Sequence, residues 1–292
     1  MKAPDDNVPQ VWCVVLSWNG REDTLACLQS LTLSSYAGLH ILVVDNASTD
    51  GSAEAVRATY PHIALIENNE NLRWAGGNNI GIRYALEQGA DFILLLNNDT
   101  VVNVEMVGRL VEAALDMPAA GLLAPKIYYA SQPDVIWYAG GGLSLWRGQF
   151  WHEGLREKDR DQNGAVQHDR DRDVGYITGC AMLVRREVIE AIGEVDERFY
   201  LYGEDVDYSL RARAAGYRLR VVPSATMLHK VSASLGSASL RKFRLKFRSN
   251  LRLYRKYAPV WSWFTTIPLF MLLDVMRNIF RLVMGRYRRL QS

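Results

Sequence analysis

Cysteine is scarce in this chain of 292 residues. Cys13, Cys27 and Cys180 stand far apart, which excludes a disulfide framework and a CxxC zinc site. They read as reduced core thiols of a cytosolic protein. A membrane-spanning run is also missing. The apolar stretch 260–273 is too short to cross a hydrocarbon core of ~30 Å, and Asp274, Arg277 and Arg281 interrupt its continuation. Residues 1–10 are polar and acidic with no apolar core, so no signal peptide is expected. No internal repeat is present. The glycine-rich segment 73–81 lacks the GxGxxG spacing of a dinucleotide fingerprint. What remains is an ordinary globular composition, 49% hydrophobic and 23% charged, long enough for one large domain or two small ones.

Acidic residues are nearly absent from one region. Residues 241–292 hold 13 Lys and Arg but a single acid, Asp274, while the other 240 residues hold 21 basic and 31 acidic side chains. A tail of that sign needs an anionic partner, either lipid headgroups or nucleic acid.

The first half alternates strand and helix signals. Valine-rich 11–17, then 40–45, 63–67 and 92–96, read as strands; 24–33, 52–60, 78–88 and 104–116 carry apolar residues at helical spacing. Such alternation predicts a mostly parallel sheet with helices on both faces. Ligands bind beyond the carboxyl ends of such strands. The polar groups there are Ser17 to Asn19, Asp45 to Ser48, and Asn97, Asn98 and Asp99. Further on, Gly140, Gly141 and Gly142 read as a flexible break and the highly charged 156–173 as a mobile surface loop. Strands are expected at 176–185 and at 218–222, the latter ending at Pro223. The catalytic body is expected to end near residue 240.

Three carboxylates, Glu204, Asp205 and Asp207, crowd one helix start among aromatics. They suit the helix dipole, and Asp207 can pair with Arg211 four residues on. The same placement suits a general base, which needs a carboxylate on a rigid element beside an apolar wall. Asp99 after a buried strand is either part of a turn or a ligand to a hard cation that carries a diphosphate. His229 is either structural or a further ligand to that cation. Asp45 closes its strand where the edge of a base could donate to it, and the glycines of 73–81 allow close backbone approach to a ligand.

The motifs VVLSWNG (14–20), ILVVDNASTDGS (41–52), NLRWAGGNNIGI (71–82), LLLNNDT (94–100) and the long segment 178–217, followed by His229, resemble in order and spacing the inverting nucleotide-sugar glycosyltransferases of family 2. Their pattern is most similar to rhamnosyltransferases of cell-envelope polysaccharide synthesis. The resemblance covers roughly residues 10–257 and implies a GT-A fold. It divides the body into a nucleotide-sugar half, about 10–135, and an acceptor half, about 136–240. It implies that Asp45 accepts the pyrimidine N3–H of a dTDP- or UDP-sugar, with Asn46 beside it. Ser17 and Asn19 would line base and ribose, with Arg73 and Asn79 near. Asp99 would bind Mg²⁺ or Mn²⁺, with Asn98 in the same triplet and His229 as a second ligand. Thr178 and Gly179 would lie near the transferred sugar. Asp205 would be the base of a single displacement, with Glu204 orienting it or touching the acceptor. The triplet Asn97, Asn98, Asp99 lacks the family's usual first carboxylate, which predicts weak metal binding without nucleotide.

A sugar nucleotidyltransferase would also place nucleotide on an α/β sheet. It would carry a glycine-rich triphosphate loop and a lysine near the N-terminus, and VVLSWNGRED shows neither. A non-catalytic nucleotide-sugar binder would not need Asp99, Glu204, Asp205 and His229. The tail, 241–292, reads as a basic amphipathic helical extension that lies on anionic lipid at the inner face of the cell membrane rather than on nucleic acid, because its amphipathicity and tryptophans suit lipid. A glycan or lipid-linked glycan acceptor fits that placement. A pair of helices packed on the core is the alternative. Nothing in the sequence sets the oligomeric state.

Overall fold

The computed structural model describes residues 8–147, 149–161, 163–199, 202–231, 240–269, 272–273 and 275–276. Asp274 and the basic run from Arg277 onward, both used in the sequence reading, lie outside the described residues, as do residues 1–7.

The valine-rich run becomes β1 (Val11–Ser17), buried along nearly its whole length. It lies between two parallel neighbours, β2 (Leu39–Asp45) and β4 (Phe92–Asn97), with β3 (Ala64–Glu67) beyond β2. A strand flanked on both sides and covered on both faces must be apolar at every position, and each fully buried Val or Leu contributes roughly 1.5–3 kcal/mol. Helix α1 (Arg21–Thr32) follows β1, and α2 (Ser52–Thr59) follows β2.

Helix α3 (Arg73–Glu87) begins five residues before the sequence predicts. Its glycines are helical and do not form a turn beside a ligand. A Cβ on Gly77 would sit 2.4 Å from Leu16 Cδ1, and one on Gly81 would sit 2.3 Å from Val14 Cγ1. The close approach they allow is that of α3 onto β1, so Gly81→Ala would force helix and strand apart.

Beyond β4 the sheet changes direction. The short β5 (Thr100–Val102) and α4 (Met106–Asp116) lead to β6 (Ala120–Tyr129), β7 (Gln132–Tyr138), β8 (Gly141–Ser144) and β9 (Gln149–His152). The charged segment ends in β10 (Arg172–Asp173), and β11 (Ala181–Arg185) enters antiparallel between β4 and β6. Helix α5 (Arg186–Ile192), helix α6 (Glu204–Ala214) and β12 (Arg218–His229) follow. The main sheet runs β10, β12, β6, β11, β4, β1, β2, β3, with β5 on β12 and β7 on β6.

Three expectations are corrected here. Pro223 does not end its strand: β12 continues to His229, and its register against β6 shifts between Val222 and Thr226, the kind of bulge that tolerates proline. The triple glycine is no loose break, because Gly141 and Gly142 start β8, and a Cβ on Gly141 would lie 2.3 Å from the Tyr176 carbonyl oxygen. The charged segment is anchored: Lys126, 1% exposed, pairs with Asp159, and Arg160 bridges to Val166. All three cysteines are buried free thiols, and burial pushes Cys27 up to about 12.

Helix α7 (Leu240–Tyr257) packs on the catalytic body. Leu253 joins Tyr176, Phe199, Val206 and Leu210 in a second hydrophobic cluster, and Tyr254 and Ser249 are buried. The fully buried carboxylate of Asp207 accepts from Arg211 Nε at 3.0 Å, Lys256 Nζ at 2.6 Å and Tyr257 Oη at 2.8 Å. Two of those donors come from α7. The third acid of the cluster therefore fastens the basic helix to α6. Among the described residues no helix is long and apolar enough to cross a membrane.

Candidate active site

Parallel register sets Ser17 opposite Asp45, and Leu16 opposite Asn97, so the carboxyl ends of β1, β2 and β4 form one edge. Backbone strain gathers there. Asn19, Ala47 and Arg73 take positive φ angles of 49°, 60° and 66° although none is glycine, and Tyr202 does the same beside Glu204. Left-handed non-glycine residues persist where surrounding contacts over-determine them, and they cluster at functional sites.

Along the first wall, Asp45 accepts from the Ser48 amide at 2.7 Å and the Ser48 hydroxyl at 2.6 Å. Asn19 ties the two loops together: its amide donates to Ser48 Oγ and its Oδ1 accepts from the Thr49 amide at 2.8 Å. Asn46 donates to the Arg73 carbonyl and accepts from Asn68, which joins the β2 end to the start of α3. Ser17 lies buried 2.9 Å from Thr24 Oγ1, and Asn98 Nδ2 donates to the same hydroxyl. Asn79 is set apart from this edge. Its amide is taken up by Val195 and Glu197, which secures the segment leading to α6.

The second wall holds Asp99. Strand β5 pairs with the end of β12, Thr100 opposite His229, and that pairing places Asp99 Oδ1 3.2 Å from His229 Nε2. The Nδ1 of His229 is buried without a hydrogen-bond partner. Burial opposes a charge on this ring, but the Cys180 sulfur and the Asp99 carboxylate beside it outweigh burial and raise the pKa to about 10. Among the described residues no group of three His, Cys, Asp or Glu gathers to hold a metal. One carboxylate and one imidazole side by side, with an orphaned ring nitrogen, fit a hard cation only when a diphosphate and water complete its shell. Asn97, where the family's first carboxylate would stand, accepts from Trp74 Nε1 at 3.2 Å.

Trp74 escaped the sequence reading as an individual residue. It links the two halves: a Cβ on Gly179 would lie 2.7 Å from the Trp74 ring, and the Gly179 amide donates to Asp205 Oδ2 at 3.0 Å. Gly179 and Asp205 thus come together, joined through Trp74 to Asn97.

Asp205 Oδ1 accepts from the Val206 amide at 2.8 Å. Burial raises its pKa, and the two amide donors oppose that rise. Glu204 is pushed up to about 8, first by burial and then by the charge of Asp205, and its Oε2 is buried without a partner. Burial, rather than Glu204, is the main cause at Asp205; the repulsion between the two falls on Glu204. The two carboxyls therefore titrate as a pair, with Glu204 keeping its proton up to about 8.

An aromatic wall, also missed from sequence, runs from His229 to Tyr176. Trp137 meets His229 edge-on at 4.4 Å and His152 at the same distance; Tyr138 meets His152 and then Tyr176, and Tyr138 Oη donates to the Tyr176 carbonyl. Burial holds the His152 ring neutral, near pKa 4. Trp137, Tyr138 and His152 lie in the hairpins β6 to β9, whose alternation is short and irregular, so the only available signal was the aromatic density of that region.

An α/β sheet with polar strand ends, a paired carboxylate and histidine, and a partly buried acid pair on a helix start fit a glycosyl-transferring enzyme. Residues 12–193 match the family model described as Glycosyl transferase family 2. The chain belongs to that family and is a glycosyltransferase. It is 30% identical over 227 residues to the N-acetylglucosaminyl-diphospho-decaprenol L-rhamnosyltransferase of Mycobacterium tuberculosis (strain ATCC 25618 / H37Rv), covering 72% of each chain. It is 24% identical over 225 residues to the dTDP-rhamnosyl transferase RfbF of Shigella flexneri, covering 76% of this chain and 69% of that one. The fold is that of GalNAc-T7 solved with UDP, GalNAc and Mn²⁺, at TM-score 0.64 and 15% identity over 84% of this chain and 48% of that one. It is also that of the mannosyltransferase PcManGT from Pyrobaculum calidifontis with GDP-Man and Mn²⁺, at TM-score 0.60 and 19% identity over 87% and 67%. These neighbours bear out the GT-A architecture, with its mostly parallel central sheet.

Proposed function

We propose that this protein is an inverting rhamnosyltransferase that moves its sugar from a dTDP- or UDP-linked donor to a lipid-linked glycan at the inner face of the cell membrane. The observation that carries the reading is Asp205, a carboxylate held by two backbone amides, those of Gly179 and Val206, at the start of a rigid helix. The names of the relatives support the sugar and the lipid-linked acceptor.

Asp45 would accept from the pyrimidine, since each of its oxygens retains a lone pair beyond the bond from Ser48. Asn19 and Asn46 hold the loops that shape that pocket. Asp99 and His229 would hold a divalent cation, Mg²⁺ or Mn²⁺, which when bound offsets the charge of the leaving diphosphate. Asp205 takes the proton of the acceptor hydroxyl as that oxygen bonds to the anomeric carbon. The bond from that carbon to the diphosphate oxygen breaks on the opposite face, so the configuration inverts. Glu204, protonated, can donate to the acceptor. The aromatic wall excludes water, which would otherwise compete as acceptor.

Docking to the membrane is supported by exposed apolar side chains just after α7. Val260, Trp261 and Phe264 are 76%, 55% and 82% exposed beside a helix with no acidic residue. Incubation with a panel of nucleotide sugars, following diphosphate release with and without Mn²⁺, tests the reaction. Asp205→Asn should abolish transfer while nucleotide-diphosphate binding persists, because the base matters only when a proton moves. Near-normal turnover by that variant would remove Asp205 from the role.

A further inference from the structure

Helix α7 buries one side and leaves the other strongly cationic. Ser249, Leu253 and Tyr254 face the body. Arg244, Arg248, Arg252 and Arg255, spaced four, four and three residues apart, form a single ridge on the opposite side. Like charges at that spacing disfavour a helix, and α7 contains no acid to relieve them. Nearby cations are already matched: Lys256 and Arg211 sit on Asp207, and Arg198 on Asp196. Among the described residues, no carboxylate pairs with Arg244, Arg248, Arg252 or Arg255.

The ridge is not a flat surface. Arg252 donates to the Arg198 carbonyl and lies 5.8 Å from the centroid of the Phe199 ring. A cavity of about 210 Å³ opens between the two segments, lined by Arg198, Leu245, Arg248, Ser249 and Arg252. It adjoins a wider one of about 410 Å³ that shares Arg248 and Arg252 and adds Leu251 and Arg255. The groove lies close to the chemistry, because Phe199 packs under Gly203 and Gly203 precedes Glu204. The exposed apolar turn of Val260, Trp261 and Phe264 begins five residues along the chain from Arg255.

We propose that Arg248 and Arg252, in the groove that Arg198 borders, bind the phosphates that join the acceptor glycan to its lipid. This rests on the reading of a lipid-linked acceptor given above. Guanidinium forks match phosphate oxygens bidentately, and an anion there removes the repulsion along the ridge. The groove then orders the acceptor: glycan toward Asp205, phosphates on the arginines, lipid along the apolar turn. Anionic phospholipid headgroups offer the same chemistry but would sit on the ridge without regard to the acceptor.

The test uses the full chain with Arg248→Gln, Arg252→Gln and the double variant, all surface changes whose unfolding temperature should match the parent. The direct probe is a short polyprenyl diphosphate in neutral detergent, with the corresponding polyprenol as control. The parent should bind the diphosphate and not the alcohol, and the double variant should lose at least about tenfold in affinity, as expected for two charge-assisted contacts. In transfer assays the double variant should raise KM for a diphosphate-linked acceptor by a similar factor. Its kcat on a phosphate-free glycan and its KM for the nucleotide sugar should stay within about twofold. No preference of the parent for the diphosphate over the alcohol would overturn the proposal, whatever the transfer assay shows. An unchanged KM in neutral micelles, with weakened flotation on anionic vesicles, would overturn it in favour of headgroups. If the parent transfers to neither acceptor, the reading of the reaction fails, and the binding assay still decides the groove.

Discussion

Removing the carboxylate of Asp207 should cost this protein more stability than removing that of Glu204 or Asp205. Asp207 is fully buried and has three donors, Arg211, Lys256 and Tyr257. Asp207→Ala leaves two cations and a hydroxyl around a void. Breaking a buried pair from one side costs about 3–5 kcal/mol, because the remaining charge has lost its compensation. The side chain of Lys256 is 35% exposed and can turn to water, whereas that of Arg211 is 20% exposed and also holds the Ile192 and Glu194 carbonyls. Relief on one side places the cost at the lower end, about 3 kcal/mol. At about 2–4 °C per kcal/mol for domains of a few hundred residues, the unfolding temperature should drop by about 6–12 °C. Asp207→Asn keeps an oxygen for Tyr257 and should fall between the two. Scanning calorimetry on parent and both variants reads the effect. An alanine variant that melts within 1–2 °C of the parent, a span of about half a kcal/mol, would refute the reasoning. It would mean that α7 is held by its apolar contacts alone.

Glu204 supplies a pH signature. Its folded pKa is raised from 4.5 to about 8, so the folded state keeps a proton that the unfolded chain has lost. The stability it contributes is complete below about pH 4.5 and disappears as pH rises through about 8. Glu204→Gln stays neutral throughout, so urea midpoints of parent and variant should diverge across that window in favour of the variant; parallel curves would contradict the shift. Metal affinity should depend on nucleotide, since Asp99 and His229 alone make a poor site. Calorimetry should find weak Mn²⁺ binding to the free protein and tighter binding with nucleotide diphosphate, and Asp99→Ala should abolish the metal's effect on nucleotide affinity. Tight binding to the nucleotide-free protein would sink this.

The parallel half of the sheet was legible because β1, β2 and β4 are continuous apolar runs, and Ser17, Asp45 and Asn97 end them. The start of α3 was not legible. Glycine disfavours helices by propensity, and only the contact of Gly77 and Gly81 with β1 explains why they are helical. Pro223 hid half of β12 because a bulge is a tertiary solution to a local defect. Within the acid cluster, sequence offered three similar carboxylates. Only packing separates Asp207, matched by three donors, from Glu204 with an unmatched oxygen. The roles of Trp74 and the aromatic wall depend on contacts between segments far apart in the chain, which no local period records.

The pairing of β5 with β12 has a consequence for the order in which this protein becomes active. Thr100 meets His229 only after the chain has crossed the sheet, inserted β11 backwards and returned. Such a long closure is entropically costly and forms late. Both the acid pair and His229 follow the parallel strands β1, β2, β3 and β4 in the chain. A chain emerging during synthesis would therefore display the walls of a nucleotide pocket well before it could do chemistry. On the proposed mechanism, a partly made molecule lacks both the base and the histidine that faces Asp99.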